Sequence, residues 1–377
     1  MFDIELVKKI NDWKVSEDGA LPICIGCDVG GSGLRVRISS FNDSEKYVDL
    51  GHAKAKCTKQ LVDVLADLEQ KIKQVNDKFV CLGAAIAVAG PIKAGTVILT
   101  NWQGEPAVRT LTLKDLPQKI FPKDRSVFLN DLEAGAYGVI AAADKDILEQ
   151  NFVQLFQDKA PKGPVLANGR TAVLAMGSGL GAALVVRTPL LKNPLVLPTE
   201  LGHVQIAPNM KEHKNFKQER ELIQHISNHY YKGELDPEYE DICSGRGLPL
   251  AYQFYHQKKT GELLPVEQID AGEVAKKAMD GEEDAVDALK AHYIFYLRAA
   301  KAIATSLSCE SCVLSLDNQV KNHPFVMKIM KELEDEFYEF IRPDWMNGLR
   351  VYSQKSILNF NILGTDYMAH AIANKPE

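Results

Sequence analysis

Leu21-Pro22-Ile23-Cys24-Ile25-Gly26-Cys27-Asp28-Val29-Gly30-Gly31-Ser32-Gly33-Leu34-Arg35-Val36-Arg37-Ile38-Ser39 decides the fold. Its first third, Leu21 to Cys27, is an apolar run that reads as a buried strand. Asp28 to Gly33 is a glycine-rich turn, and Leu34 to Ser39 then alternates with period two, so a second strand leaves the turn. A dinucleotide fingerprint requires a helix at that point, and a Walker loop requires Gly-Lys-Ser/Thr. Neither is present. Taken alone the turn is an ordinary hairpin.

The same unit recurs. Thr171 to Met176 is an apolar strand, Gly177-Ser178-Gly179-Leu180-Gly181 a turn, and Ala182 to Val186 a second strand. Backbone N–H groups in such turns can converge on phosphate oxygens with no Cβ in the way. Two of them in matching contexts favour a phosphate clamp between two domains. Asp28 adds a carboxylate able to hold the water shell of Mg²⁺, a cation that takes oxygen ligands and keeps several waters.

Between the two units lies Phe128-Leu129-Asn130-Asp131-Leu132-Glu133-Ala134. Ser126 to Leu129 reads as a short strand and Leu132 to Ala143 as a helix, so Asn130 and Asp131 stand where one becomes the other. Helix N-terminal amides favour the charged form of an aspartate there. A capping box, Asn130 with Glu133, is the plain alternative to a functional role.

The remaining pattern is that of a mixed sheet followed by helices. The first fourteen residues read as an amphipathic helix, Tyr47 to His52 as a third strand, and Lys59 to Asn76 as a helix. Val80 to Ala89 and Thr96 to Thr100 are strands, the latter ending at Asn101-Trp102. Three antiparallel strands, a helix and then crossovers do not match the steady alternation of a Rossmann domain. After a polar loop over 157–170, helices are expected over Lys217–Tyr231, Ala271–Met279, Glu283–Leu307 and Pro324–Ile341. Strands are expected over Cys312–Leu316 and near Val351, with a last helix from about Leu363.

A chain of 377 residues suffices for two domains with sizeable cores. A net charge of −6 gives no reason to expect nucleic acid or an acidic membrane as partner. No apolar run approaches a membrane span, no signal peptide or peroxisomal address is visible, and the cytoplasm is the expected compartment. Seven cysteines without a disulfide-scaffold spacing point to reduced thiols. The pairs Cys24/Cys27 and Cys309/Cys312 lie in apolar, strand-like runs far apart, so buried thiols are expected rather than a zinc site.

With these residues in order, a family resemblance is visible. It is carried by Asp28-Val29-Gly30-Gly31-Ser32-Gly33-Leu34-Arg35, Leu129-Asn130-Asp131 and Gly177-Ser178-Gly179-Leu180-Gly181. Glu200-Leu201-Gly202-His203-Val204-Gln205-Ile206-Ala207-Pro208 and Tyr239-Glu240-Asp241-Ile242-Cys243-Ser244-Gly245-Arg246-Gly247-Leu248 complete the set. The set resembles the bacterial-type glucokinases, a hexokinase-family group that also occurs in protists, and Asn130-Asp131-Leu132-Glu133-Ala134-Gly135 is similar to the protist members. The resemblance runs from about Ile23 to Ile372.

It implies an α/β chain with the two-domain actin-like fold and a cleft that closes on glucose and ATP with Mg²⁺. The domains would be 1–130 with 358–377, and 131–357. Asp131 would be the base for the sugar O6 hydroxyl, and Asn130 would bond the hydroxyls near C3 and C4. Glu200, His203 and Glu240 would line the C1 to C3 side. Asp28, Gly30, Gly31, Ser32, Gly33 and Arg35 would face the transferred phosphate, with Asp28 reaching Mg²⁺ through water. Gly177, Ser178, Gly179 and Gly181 would take the nucleotide phosphates, and Asp317 and Asn318 would lie by the adenosine. The family also implies a homodimer.

Three departures stand out. Thr199 and Leu201 replace glycines beside the acidic residue, which suggests a narrower sugar wall. Ser315-Leu316-Asp317-Asn318 replaces a Gly-Gly pair that closes over adenosine in bacterial members. The zinc motif of the related ROK kinases is missing. A kinase for another hexose, a sugar sensor and an actin- or Hsp70-like ATPase are the competing readings. The last has no use for Glu200, His203 and Glu240.

Overall fold

The computed structural model describes residues 2–31, 33–100, 102–207 and 215–375. Ser32, Asn101 and Pro208, which figure in the sequence reading, lie outside the described residues. Contacts divide the chain into two compact units, Met1–Ile147 with Asn359–Glu377, and Leu148–Leu358.

In the first unit the chain runs through β1 (Leu21–Gly30), β2 (Gly33–Ser40), β3 (Tyr47–Lys54) and β4 (Phe79–Val88). A small antiparallel sheet follows, β5 (Ile92–Lys93), β6 (Thr96–Ile98) and β7 (Thr110–Thr112), and then β8 (Ser126–Asn130). The main sheet has the order β3-β2-β1-β4-β8. β1–β2 and β2–β3 pair antiparallel, whereas β1–β4 and β4–β8 pair parallel, the mixed sheet expected from the sequence. β1 is buried on both faces through Val29, which is why it reads as a continuous apolar run.

The second unit adds β9 (Phe152–Leu155), β10 (Gly169–Met176), β11 (Leu180–Arg187), β12 (Leu195–Thr199), β13 (Ser311–Ser315) and β14 (Arg350–Gln354). Their order is β12-β11-β10-β13-β14-β9. Its first five strands repeat the topology of the other sheet, antiparallel hairpins on one side of the founding strand and parallel neighbours on the other. Both copies carry the glycine-rich turn after the founding strand.

The helix Asp131–Asp144 follows β8, and its contacts place it in the first unit. The sequence reading set the boundaries at 130/131 and 357/358; the contacts set them at 147/148 and 358/359. The physical reason is tight packing of this helix on Phe360–Ala373, the last helix. A Cβ on Gly364 would lie 1.8 Å from the Ala134 carbonyl oxygen, and one on Gly138 would lie 1.9 Å from that of Phe360. Neither backbone can yield without parting the helices. Gly364→Ala is therefore expected to lower unfolding stability by about 3 kcal/mol, at the upper end for an overpacked core. Thermal unfolding checks this, and an unchanged midpoint would deny the close approach.

Elsewhere the boundaries differ in instructive ways. The N-terminal segment is one helical turn, Ile4–Val7, followed by a 3₁₀ segment, Lys8–Asp12. The acidic helix expected over Pro324–Ile341 is broken into His323–Lys328 and Met330–Tyr338. Phe325, Ile329, Leu333 and Phe337 are all buried at a spacing of four. A straight helix would drift roughly 40° per step at that spacing, and the break at Ile329 resets the phase. Cys24, Cys27 and Cys312 are buried and Cys309 is partly buried. Burial raises the pKa of Cys309 to about 12 and that of Cys81 likewise, so these thiols stay protonated. Among the described residues no helix is long and apolar enough to cross a membrane.

Candidate active site

The first unit brings Asp28, Asn130 and Asp131 to one edge of its sheet. β1, β4 and β8 run parallel with Asp28 opposite Ala87 and Ala87 opposite Leu129. Asp28–Gly30 and Asn130–Asp131 therefore leave the sheet at the same carboxyl-terminal edge, where open α/β sheets take their ligands.

Asn130 is the N-cap of the helix, its Oδ1 accepting from the Leu132 N–H at 2.9 Å. Its own N–H donates to Glu133 Oε2 at 3.3 Å, so the capping box is formed. Burial raises the Glu133 pKa, and the Asn130 N–H opposes that shift. With Oδ1 given to the cap, the amide NH₂ is what Asn130 can offer a hydroxyl. Asp131 occupies the first helical position, its Oδ1 also accepting from the Leu132 N–H at 2.9 Å. Capping of the helix does not use the Asn130 amide NH₂.

Asp28 is 8 % exposed. Its Oδ2 accepts from Arg35 Nη1 at 3.4 Å and Asn359 Nδ2 at 3.3 Å, and its Oδ1 accepts from Asn361 Nδ2 at 3.2 Å. A carboxylate has about four lone-pair sites, so these three donors among the described residues leave room for one more, such as a metal-bound water. Mg²⁺ is commonly held by one or two carboxylates together with waters and substrate phosphates, so this single carboxylate fits it. Asn359 and Asn361 were not singled out by the sequence. Asn359 Oδ1 caps the Ile362 N–H at 3.0 Å, which fixes its NH₂ toward Asp28. An Asn opening a helix was the available signal.

The turn itself is a tight hairpin, with Gly30 paired to Gly33. Gly33 has φ +148°, and a Cβ there would lie 2.0 Å from the Ala53 carbonyl oxygen of β3. Its glycine is thus required by the sheet whatever the turn binds. Gly31 stands exposed at the tip.

In the second unit Gly177 donates to the Gly179 carbonyl at 2.8 Å, and Gly245 donates to the Gly177 carbonyl at 2.7 Å. Gly181 is already in β11, opposite Ala175. Glu240 is the hub of the surroundings. Its Oε2 accepts from the Leu180 N–H at 2.9 Å, and its Oε1 lies 3.0 Å from Arg246 Nη2. A Cβ on Gly179 would fall 2.5 Å from Glu240 Oε2 and one on Gly202 3.5 Å from it. One carboxylate therefore touches both the glycine turn and the Glu200–His203 segment. Arg246 also binds Asp241 Oδ1 at 3.1 Å; the sequence reading gave it no role.

His203 Nδ1 lies 2.7 Å from Glu238 Oε2, and its Nε2 lies 4.0 Å from Glu200 Oε2. The Glu238 hydrogen bond, helped by the charges of Glu240 and Glu200, raises the imidazole pKa against a smaller opposing effect of burial. The side chains of Glu200 and His203 are 82 % and 54 % exposed. With a raised folded pKa, any stability from His203 is complete below its unfolded pKa and is lost as pH rises through the folded one. Glu238→Gln is expected to bring the His203 titration down, as read from its ring resonances by NMR. An unmoved titration would assign the shift to other charges.

The Thr199 hydroxyl donates to the Ala182 carbonyl at 3.2 Å, and Leu201 packs against the core. Asp317 and Asn318 are exposed at the start of a short helix, Asp317–Lys321, with Asn318 Nδ2 3.4 Å from the Met176 carbonyl. They do lie beside the Gly177 turn.

The duplicated sheet with its paired glycine turns is the two-domain actin-like ATPase fold. The glucokinase family model matches residues 25–314. Glucokinase 1 of Trichomonas vaginalis is 77 % identical over 377 residues, all of both chains. Among solved structures, glucokinase from Balamuthia mandrillaris in complex with glucose aligns with TM-score 0.88 and 30 % identity over 98 % of this chain and 100 % of that one. Leishmania braziliensis glucokinase aligns with TM-score 0.76 and 25 % identity over 92 % and 93 %. The chain belongs to the glucokinase family.

Proposed function

We propose that the protein transfers the terminal phosphoryl group of ATP to O6 of D-glucose, giving glucose 6-phosphate, with Asp131 as general base. The observation that carries this reading is the placing of two acids, Asp28 and Asp131, on one sheet edge in different surroundings. Asp28 is enclosed by donors, while Asp131 opens a helix. Phosphoryl transfer to an alcohol needs positioning, neutralisation of phosphate charge and a base by the attacking hydroxyl. Asp131 accepts the O6 proton, and Asn130 holds hydroxyls at C3 and C4 through its amide NH₂. Glu200, His203 and Glu240 bind the C1 to C3 side.

The turns at Asp28–Gly33 and Gly177–Gly181 take phosphate oxygens, with Arg35 beside the first and Asp317 and Asn318 on the nucleoside side of the second. Mg²⁺, held by Asp28 through water, neutralises charge on the phosphates when bound. The family resemblance extends the reading to a cytoplasmic homodimer, which sedimentation and fractionation would test.

A coupled assay of sugar phosphorylation across glucose, mannose, fructose and glucosamine, with ATP, GTP, ADP and pyrophosphate as donors, tests the whole. Glucose with ATP is expected to lead, and activity with ADP or pyrophosphate alone would overturn the donor assignment. Galactose is expected to be poor by about one to two decades in kcat/KM, because the C4 epimer leaves buried polar groups unpaired at about 1–3 kcal/mol. Equal kcat/KM for the epimers would remove Asn130 from C4.

A further inference from the structure

The segment that departs most from the bacterial relatives has an unusual backbone. Leu316 has φ +95° and ψ 163°, a region almost confined to glycine. Such a conformation persists only where its surroundings impose it. β10, β13 and β14 lie side by side and parallel, with Ala175 opposite Ser315 and Leu314 opposite Ser353. Met176, Leu316 and Gln354 thus emerge together at one edge. The Leu316 N–H donates to Gln354 Oε1 at 2.8 Å, and Gln354 Nε2 donates to the Ser356 carbonyl at 2.9 Å. Gln354 is fully buried, so its amide is held from both ends. The half-buried Leu316 side chain points over the glycine turn, where a Cβ on Gly177 would meet Leu316 Cδ1 at 3.2 Å.

We propose that Gln354 is a positioning residue for the nucleotide donor, holding Leu316 in a left-handed conformation as an apolar wall beside the Gly177 turn. The inference rests on the assignment of that turn to nucleotide phosphates. A leucine wall has no hydrogen-bonding group with which to read a base, so donors differing only in the base are distinguished weakly here. Where glycine occupies the position, no such clamp is needed, because glycine adopts this backbone at little cost. The clamp and the leucine form a matched pair in this chain.

The test is a double-mutant cycle of Gln354→Met and Leu316→Gly, with ATP affinity measured by calorimetry beside the steady-state KM for ATP and for glucose. In the leucine background, Gln354→Met should weaken ATP about tenfold, the equivalent of one displaced contact, and leave the glucose KM unchanged. In the Leu316→Gly background the same substitution should change ATP affinity less than about twofold, since contacting residues couple and the Ser356 bond is lost in both arms. Equal losses in both backgrounds would make Gln354 a sheet residue only and overturn the proposal. So would an unchanged ATP affinity for Gln354→Met alone. Calorimetry separates the two readings: if glucose were not a substrate, the cycle in ATP binding would still stand or fall by itself.

Discussion

Asp131→Asn is expected to bind glucose as the unsubstituted protein does and to turn over about two to four decades more slowly, the scale of a missing general base. The substitution suits the question because the helix cap does not depend on Asp131 alone. The Leu132 N–H is already accepted by Asn130 Oδ1 as well as by Asp131 Oδ1, and an asparagine at 131 retains one carbonyl acceptor. What it loses is the ability to take a proton. Glucose titration by calorimetry and kcat by coupled assay separate the roles. If kcat stayed near normal, Asp131 would be a helix cap and the base would lie elsewhere.

Glu240→Gln is expected to lower kcat/KM for glucose by about one to two decades, because both of its neighbours are donors and a glutamine has one acceptor. Leu180 N–H binds Oε2 and Arg246 binds Oε1. Either orientation of the amide sets an NH₂ against a donor, and the side chain, only 17 % exposed, has little water to turn to. Leu180 belongs to the glycine turn, so the KM for ATP should rise as well. Glu238→Gln is the control, since Glu238 holds His203 and not the turn. A loss confined to glucose would show that Glu240 does not brace the turn.

The local syntax of this chain was open to reading. Two strand–turn–strand units, the strand-to-helix junction at Asn130 and the amphipathic helices rest on periods and caps written over a few neighbouring residues. The capping box at Asn130 and Glu133 formed as those residue types require. The helix Gly247–Thr260 escaped because its first nine residues are all buried and so show no one-sided period. β12 escaped because Pro198 interrupts an edge strand. Family membership, too, was legible, through five motifs in order.

What only the tertiary structure decided is which distant side chains complete each acid. Asn359 and Asn361 reach Asp28 across 331 and 333 residues, and Glu240 reaches the Leu180 N–H across 60. Gln354 clamps Leu316 across 38 more. Periodicity reports the face a residue turns to the core, a property of its own neighbours in sequence. Partners such as these are set by strand order and parallel register, which depend on how the whole sheet closes.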